Sequence, residues 1–169
     1  MTQSKIEQLA LKKLLPANLF SITAQFGHLL ETYPNVPGNS GIYGNYTRNT
    51  NKLDVLFPLK EHPVHGITGL HALESYDDAG YVRRYTYSWK IIIPKMGVSL
   101  HHISAWGNDP HDSPDTPEEF KVITEPHHHH HIPGNRRHRK ENWDVHTLEE
   151  AFNFVEPYIV NGIEYKGDN

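Results

Sequence analysis

The amino-acid sequence predicts an α+β fold: an antiparallel sheet of about five or six strands, with helices before it and one helix after it. Three observations predict this. Apolar residues recur at helical spacing near both ends, as Ile6, Leu9, Leu11, Leu14 and Leu15 and again as Phe152, Val155 and Ile159. The middle of the chain changes to alternation with a period of two. Turn-forming clusters, such as Asp77-Asp78-Ala79-Gly80 and Pro94-Lys95-Met96-Gly97, join consecutive strands. Helices at the ends and hairpin-linked strands between them make an α+β domain.

Each element follows in order. Ser4 to Leu15 is a helix that Pro16 ends, and Leu19 to Leu30 is a second apolar, helical segment. Tyr33 to Asn51 is rich in Pro, Gly, Asn, Ser and Thr; it reads as a loop with one short strand near Ile42 to Tyr46. Leu53–Leu59 and Ile67–Tyr76 are strands. Tyr81–Ile93 is the clearest strand: Tyr81, Tyr85, Tyr87, Trp89 and Ile91 share one parity, and Arg84, Thr86, Ser88 and Lys90 the other. Val98–Trp106 and Phe120–Thr124 complete the set. A last helix spans about Leu148 to Val160. Thr147 and Glu150 make a capping box at its start, and Pro157 is expected to kink or shorten it. The length of 169 residues suits one domain, 1–169, made of a helical segment (1–32), a sheet core (52–132) and the C-terminal helix (147–161).

Composition narrows the function classes. No apolar stretch is long enough to cross a bilayer, and no secretory signal pattern opens the chain. Cysteine is absent, so disulfides and thiolate metal sites are excluded, which fits a reducing, cytoplasmic setting. The formal net charge is −4 with His neutral, yet there are fourteen His, enough to reverse that sign under mild acid. Charge is uneven: Arg136, Arg137, Arg139 and Lys140 form a basic block, and Asp109, Asp112, Asp115, Glu118 and Glu119 an acidic one.

Between those blocks runs Pro126-His127-His128-His129-His130-His131-Ile132-Pro133. Its internal position and flanking prolines mark it as part of the chain itself. His101, His102, His111, His138 and His146 lie near it. Three stretches carry a wider pattern: Arg83-Arg84-Tyr85-Thr86-Tyr87, Trp106-Gly107-Asn108-Asp109-Pro110-His111, and the His run. In order and spacing they resemble the TumE-like toxins of bacterial toxin–antitoxin pairs, over about Tyr81 to Val160. Gly107 stands where that family has Asp, and the chain up to about Pro58 has no counterpart. The resemblance implies a cytoplasmic toxin acting on RNA, with a small antitoxin partner, expected to carry a helix-turn-helix.

The same residues support two chemistries. In metal-independent RNA cleavage, one neutral imidazole takes the ribose 2′-OH proton and a second, protonated, donates to the leaving oxygen. An extended run turns His128 and His130 to one side and His127, His129 and His131 to the other. The pair His128 and His130, with His111 or His102, is expected to act as acid and base. Arg84, Arg137 or Lys140 would stabilise phosphate charge, Tyr85 would stack on a base, and Asn108 would orient substrate or a catalytic imidazole. No cofactor is needed. One residue of register exchanges the two faces, so the opposite set stays open. The alternative is a zinc or non-haem iron hydrolase or oxygenase with His128, His130 and His111 as ligands. A further alternative is a non-catalytic binding protein with a His-rich partner or pH-sensing surface.

Overall fold

Alternation along Tyr81–Ile93 dictates the centre of the molecule, because its aromatic parity must be covered and its polar parity need not be. The computed structural model describes residues 13–33, 45–93, 97–108, 129–132, 135–141 and 144–167. In it, β1 (Asn45–Arg48), β2 (Lys52–Pro58), β3 (Thr68–Tyr76), β4 (Val82–Ile93), β5 (Gly97–Gly107), β6 (His129–Ile132) and β7 (Asn135–Glu141) form one sheet in sequential order. Every neighbouring pair is antiparallel. The fold is α+β. The strands β2 to β5 make the core of the sheet; β1 extends one edge, and β6 and β7 the other.

The strand count differs from the five or six expected, and the reason is physical. β7 is the basic block Asn-Arg-Arg-His-Arg-Lys-Glu, with no apolar parity for a period-two reading to detect. Among the described residues it is the last strand of the sheet, and a charge-rich sequence suits such an edge because it discourages further pairing. The sheet therefore extends past the 52–132 span, from Asn45 to Glu141. The expected strand Phe120–Thr124 and most of the expected helix Ser4–Leu15 lie outside the described residues; Lys13 to Leu15 are not helical.

Helices α1 (Leu19–Phe26) and α2 (Leu148–Asn161) pack on one face of the sheet. The expected second helix, Leu19 to Leu30, ends early, at Phe26, and gives way to one 3-10 turn. Asn18 caps α1 by accepting from Ser21 N at 3.0 Å. Thr147 and Glu150 form a reciprocal box at the start of α2: Glu150 N donates to Thr147 Oγ1, and His146 N donates to Glu150 Oε1. α2 runs through Pro157 to Asn161, where Gly162 at φ 64° ends it. The carbonyl that Pro157 leaves without a partner belongs to exposed Asn153, where water can satisfy it.

The aromatic parity of β4 is the heart of the core. Tyr85, Tyr87 and Trp89 are each at most 2% exposed. Phe152 of α2 stacks on Phe26 of α1 at 4.9 Å and meets Phe57 of β2 edge-on at 5.1 Å. Phe154 meets Trp106 of β5 edge-on. Buried Glu74 accepts from Tyr87 Oη at 2.6 Å, from Tyr76 Oη at 2.9 Å and from Ala17 N at 3.0 Å, which ties the N-terminal segment to the sheet. No helix among the described residues is long and apolar enough to cross a membrane.

Candidate functional site

Sheet order brings the sequence-predicted residues onto consecutive strands. Arg84 is on β4, Asn108 follows β5, the His run supplies β6, and Arg137 and Lys140 are on β7. Arg84 and Asn108 meet directly: Arg84 Nη1 donates to Asn108 O at 3.0 Å. The Asn108 carboxamide is spent on β4, since Tyr85 N donates to its Oδ1 at 2.9 Å and its Nδ2 donates to Arg83 O at 3.0 Å. It extends the ladder past the last paired residue and fixes where Arg84 stands. Gly107 also has a local reason: a Cβ there would lie 3.0 Å from Tyr85 O.

Register decides which His share a face. Trp106 pairs with Tyr87 on one side and with His130 on the other, and His130 pairs with Lys140. Directly opposed residues share a face. Tyr87 and Trp106 of this row are buried in the core. The adjoining rows run Thr86–Gly107–His129–Glu141 and Ser88–Ala105–His131–Arg139. Arg84 is two residues from Thr86 on the same strand and shares its parity.

The remaining expected residues fall as follows. His102 is buried, opposite Lys90, where the β4–β5 register shifts by one residue. Tyr85 is a core residue stacked on Tyr87 at 5.0 Å, and it has no surface on which a base could stack. Burial, and secondarily Glu150, push its phenol far above the usual range. His111 and His128 lie outside the described residues, so two of the three alternative metal ligands do as well. Among the described residues no group of three or more His or carboxylates is placed to hold a metal ion.

Two His pairs escaped the sequence reading. On the polar face, His71 of β3 meets Asp54 of β2, Nε2 to Oδ1 at 2.8 Å. Beside Trp89, His62 Nδ1 accepts from Val64 N and His65 N, and His65 Nε2 accepts from Tyr165 N at 3.0 Å. Neither belongs to the dense part of the His distribution. The available signal for His71 was parity: it alternates with Leu70 and Ala72, which are buried. A shallow cleft lies beside the first pair, lined by Lys52, Asp54, Ser75, Arg84 and Thr86 among others. Comparisons with protein-family models, curated proteins and solved structures give no match to this chain.

Proposed function

We propose that this protein is the toxin of a bacterial toxin–antitoxin pair and cleaves RNA without a metal ion, acting in the cytoplasm. The observation that carries the proposal is the register of β5, β6 and β7. It sets the backbone of the His run between β5 and the basic strand β7, with His131 in register with Ala105 on one side and Arg139 on the other. Imidazoles supply a base and an acid near neutral pH without large perturbation. Guanidinium groups suit the charge that develops on a phosphate in flight. The order of motifs shared with TumE-like toxins supports the same reading. A need for the ribose 2′-OH makes the substrate RNA and excludes DNA.

In this reading His129 and His131 are the acid–base residues on β6. Arg84, Arg137 and Arg139 hold phosphate. An antitoxin with a helix-turn-helix covers the basic, His-rich strands in the resting complex.

The test is cleavage of a mixed RNA pool by the purified chain in excess chelator. The expected products end in a 2′,3′-cyclic phosphate and begin with a 5′-OH, and the rate is unchanged by chelator. Cleavage that stops with chelator and returns with zinc or iron would overturn the metal-free mechanism.

A further inference from the structure

We propose that Lys52, Ser75 and Arg84 form a binding site for a backbone phosphate of single-stranded RNA; this assignment rests on the function proposed above. The sequence singles out Arg84 alone of the three. Register and an open cleft supply the other two.

The site is one row across three strands. Lys52 of β2 pairs with Ser75 of β3, and Ser75 pairs with Arg84 of β4. Directly opposed residues share a face, so the two cations flank one hydroxyl on the same side of the sheet. Two strand spacings separate Lys52 from Arg84, about 10 Å between Cα atoms. Side chains as long as Lys and Arg can close from both sides on one tetrahedral anion seated over Ser75. The adjoining row, Leu53–Glu74–Tyr85, belongs to the opposite face and is buried in the core. The β3–β4 register shifts between Ser75 and Tyr76, an irregularity of the kind that re-aims side chains beside a site.

The row is accessible and its charges are available. Lys52 and Arg84 are exposed, and Ser75 is half-buried. All three line the shallow cleft, together with Asp54, Leu73 and Thr86. Arg84 Nη1 donates to Asn108 O, which anchors the guanidinium and leaves its other N–H groups to donate elsewhere. Among the described residues, Lys52 Nζ and the hydroxyls of Ser75 and Thr86 have no hydrogen-bond or ion-pair partner. The exposed carboxylate of the cleft, Asp54, is engaged by His71 Nε2 at 2.8 Å. A planar guanidinium fork facing an ammonium point charge, with a hydroxyl donor between them, matches the oxygens of a phosphate.

Volume decides which part of the RNA binds. The cleft holds about 240 Å³, below the roughly 300 Å³ at which pockets for whole small molecules begin. It takes a phosphodiester group rather than a nucleotide. Because the cleft is shallow, a polymer can lie across it, as single strands lie along positively charged grooves. Leu73, 39% exposed, gives the adjoining sugar an apolar surface.

The experiment measures binding of a single-stranded 2′-O-methyl RNA oligonucleotide over a range of salt, by wild type, Lys52→Gln, Lys60→Gln and Asp54→Asn. The methyl group blocks the 2′-oxygen, so the strand binds without being cut. Each phosphate contact to a single strand contributes about −0.7 to the slope of log K against log salt. Lys52→Gln is expected to weaken binding and to flatten the slope by about 0.7. Lys60 is also exposed but lies outside the cleft, and Lys60→Gln is expected to keep the wild-type slope. Asp54→Asn removes the exposed negative charge of the cleft and is expected to tighten binding. The gain is about threefold for charges about 7 Å apart in water, the spacing of alternate residues on a strand. Equal slopes for wild type and Lys52→Gln, the same flattening in Lys60→Gln, or weaker binding by Asp54→Asn would overturn the site. Cleavage of unmodified RNA by wild type in chelator is read alongside. If cleavage occurs while Lys52→Gln keeps the wild-type slope, the phosphate site falls and the RNA-cleaving function stands. If wild type neither binds nor cleaves RNA, both fall.

Discussion

At the scale of single residues, Asn108 shows how a motif position earns its place by geometry. Its carboxamide offers one acceptor and two donors, and it uses an acceptor and a donor on the β4 backbone. Asn108→Ala leaves Tyr85 N and Arg83 O without these partners and releases the end of β5. The expected cost is about 0.5–1.5 kcal/mol, the net worth of an ordinary hydrogen bond, because one of the two bonds is exposed and the other part-buried. Asn108→Asp keeps the acceptor for Tyr85 N and loses the donor to Arg83 O, so its cost falls between Asn108→Ala and wild type. Denaturant unfolding of the three proteins measures the order. Equal midpoints for all three would show that the carboxamide does not hold the strand end.

At the scale of elements, the C-terminal tail is fastened by two imidazoles that bond to the backbone. Tyr165 N donates to His65 Nε2, and His62 Nε2 lies 2.8 Å from Ile163 O while its Nδ1 accepts two backbone N–H groups. Tyr165 packs near Trp89 and Phe154, so the fastening reaches the core. Desolvation by burial, and then the neighbouring His62, hold the His65 pKa below its usual 6.5; Glu164 opposes them. The unfolded chain therefore binds a proton more readily than the folded one. The stabilisation is fully present above about pH 6.5 and is lost as pH falls toward the lower folded value. Unfolding in urea between pH 7.5 and 5.5 measures the slope. His65→Gln keeps an acceptor and does not titrate, so it is expected to have a shallower slope than wild type. Identical slopes would remove His65 from the pH dependence.

At the scale of the whole molecule, the legible features are those that burial enforces. The aromatic parity of β4 reads from sequence because one face of the strand must be covered, and Tyr85, Tyr87 and Trp89 are buried as that parity requires. The box at Thr147 and Glu150 reads because capping is local. β7 does not read, because an edge strand of Arg and Lys has no apolar period to detect. The pairing of His71 with Asp54 does not read either. It joins two strands seventeen residues apart in the chain, and only register brings them together. Alternation within a run says which His share a face, but the partner strand decides which face that is.

This last point gives the most direct measurement. RNA cleavage in chelator is compared for two double variants, His129→Ala/His131→Ala and His128→Ala/His130→Ala, each first shown to unfold at the same denaturant midpoint as wild type. The register predicts that loss of His129 and His131 abolishes cleavage, by at least the roughly 10²-fold that general acid–base groups contribute, and that loss of His128 and His130 costs much less. Undiminished cleavage by the His129→Ala/His131→Ala protein would contradict a catalytic site on the polar face.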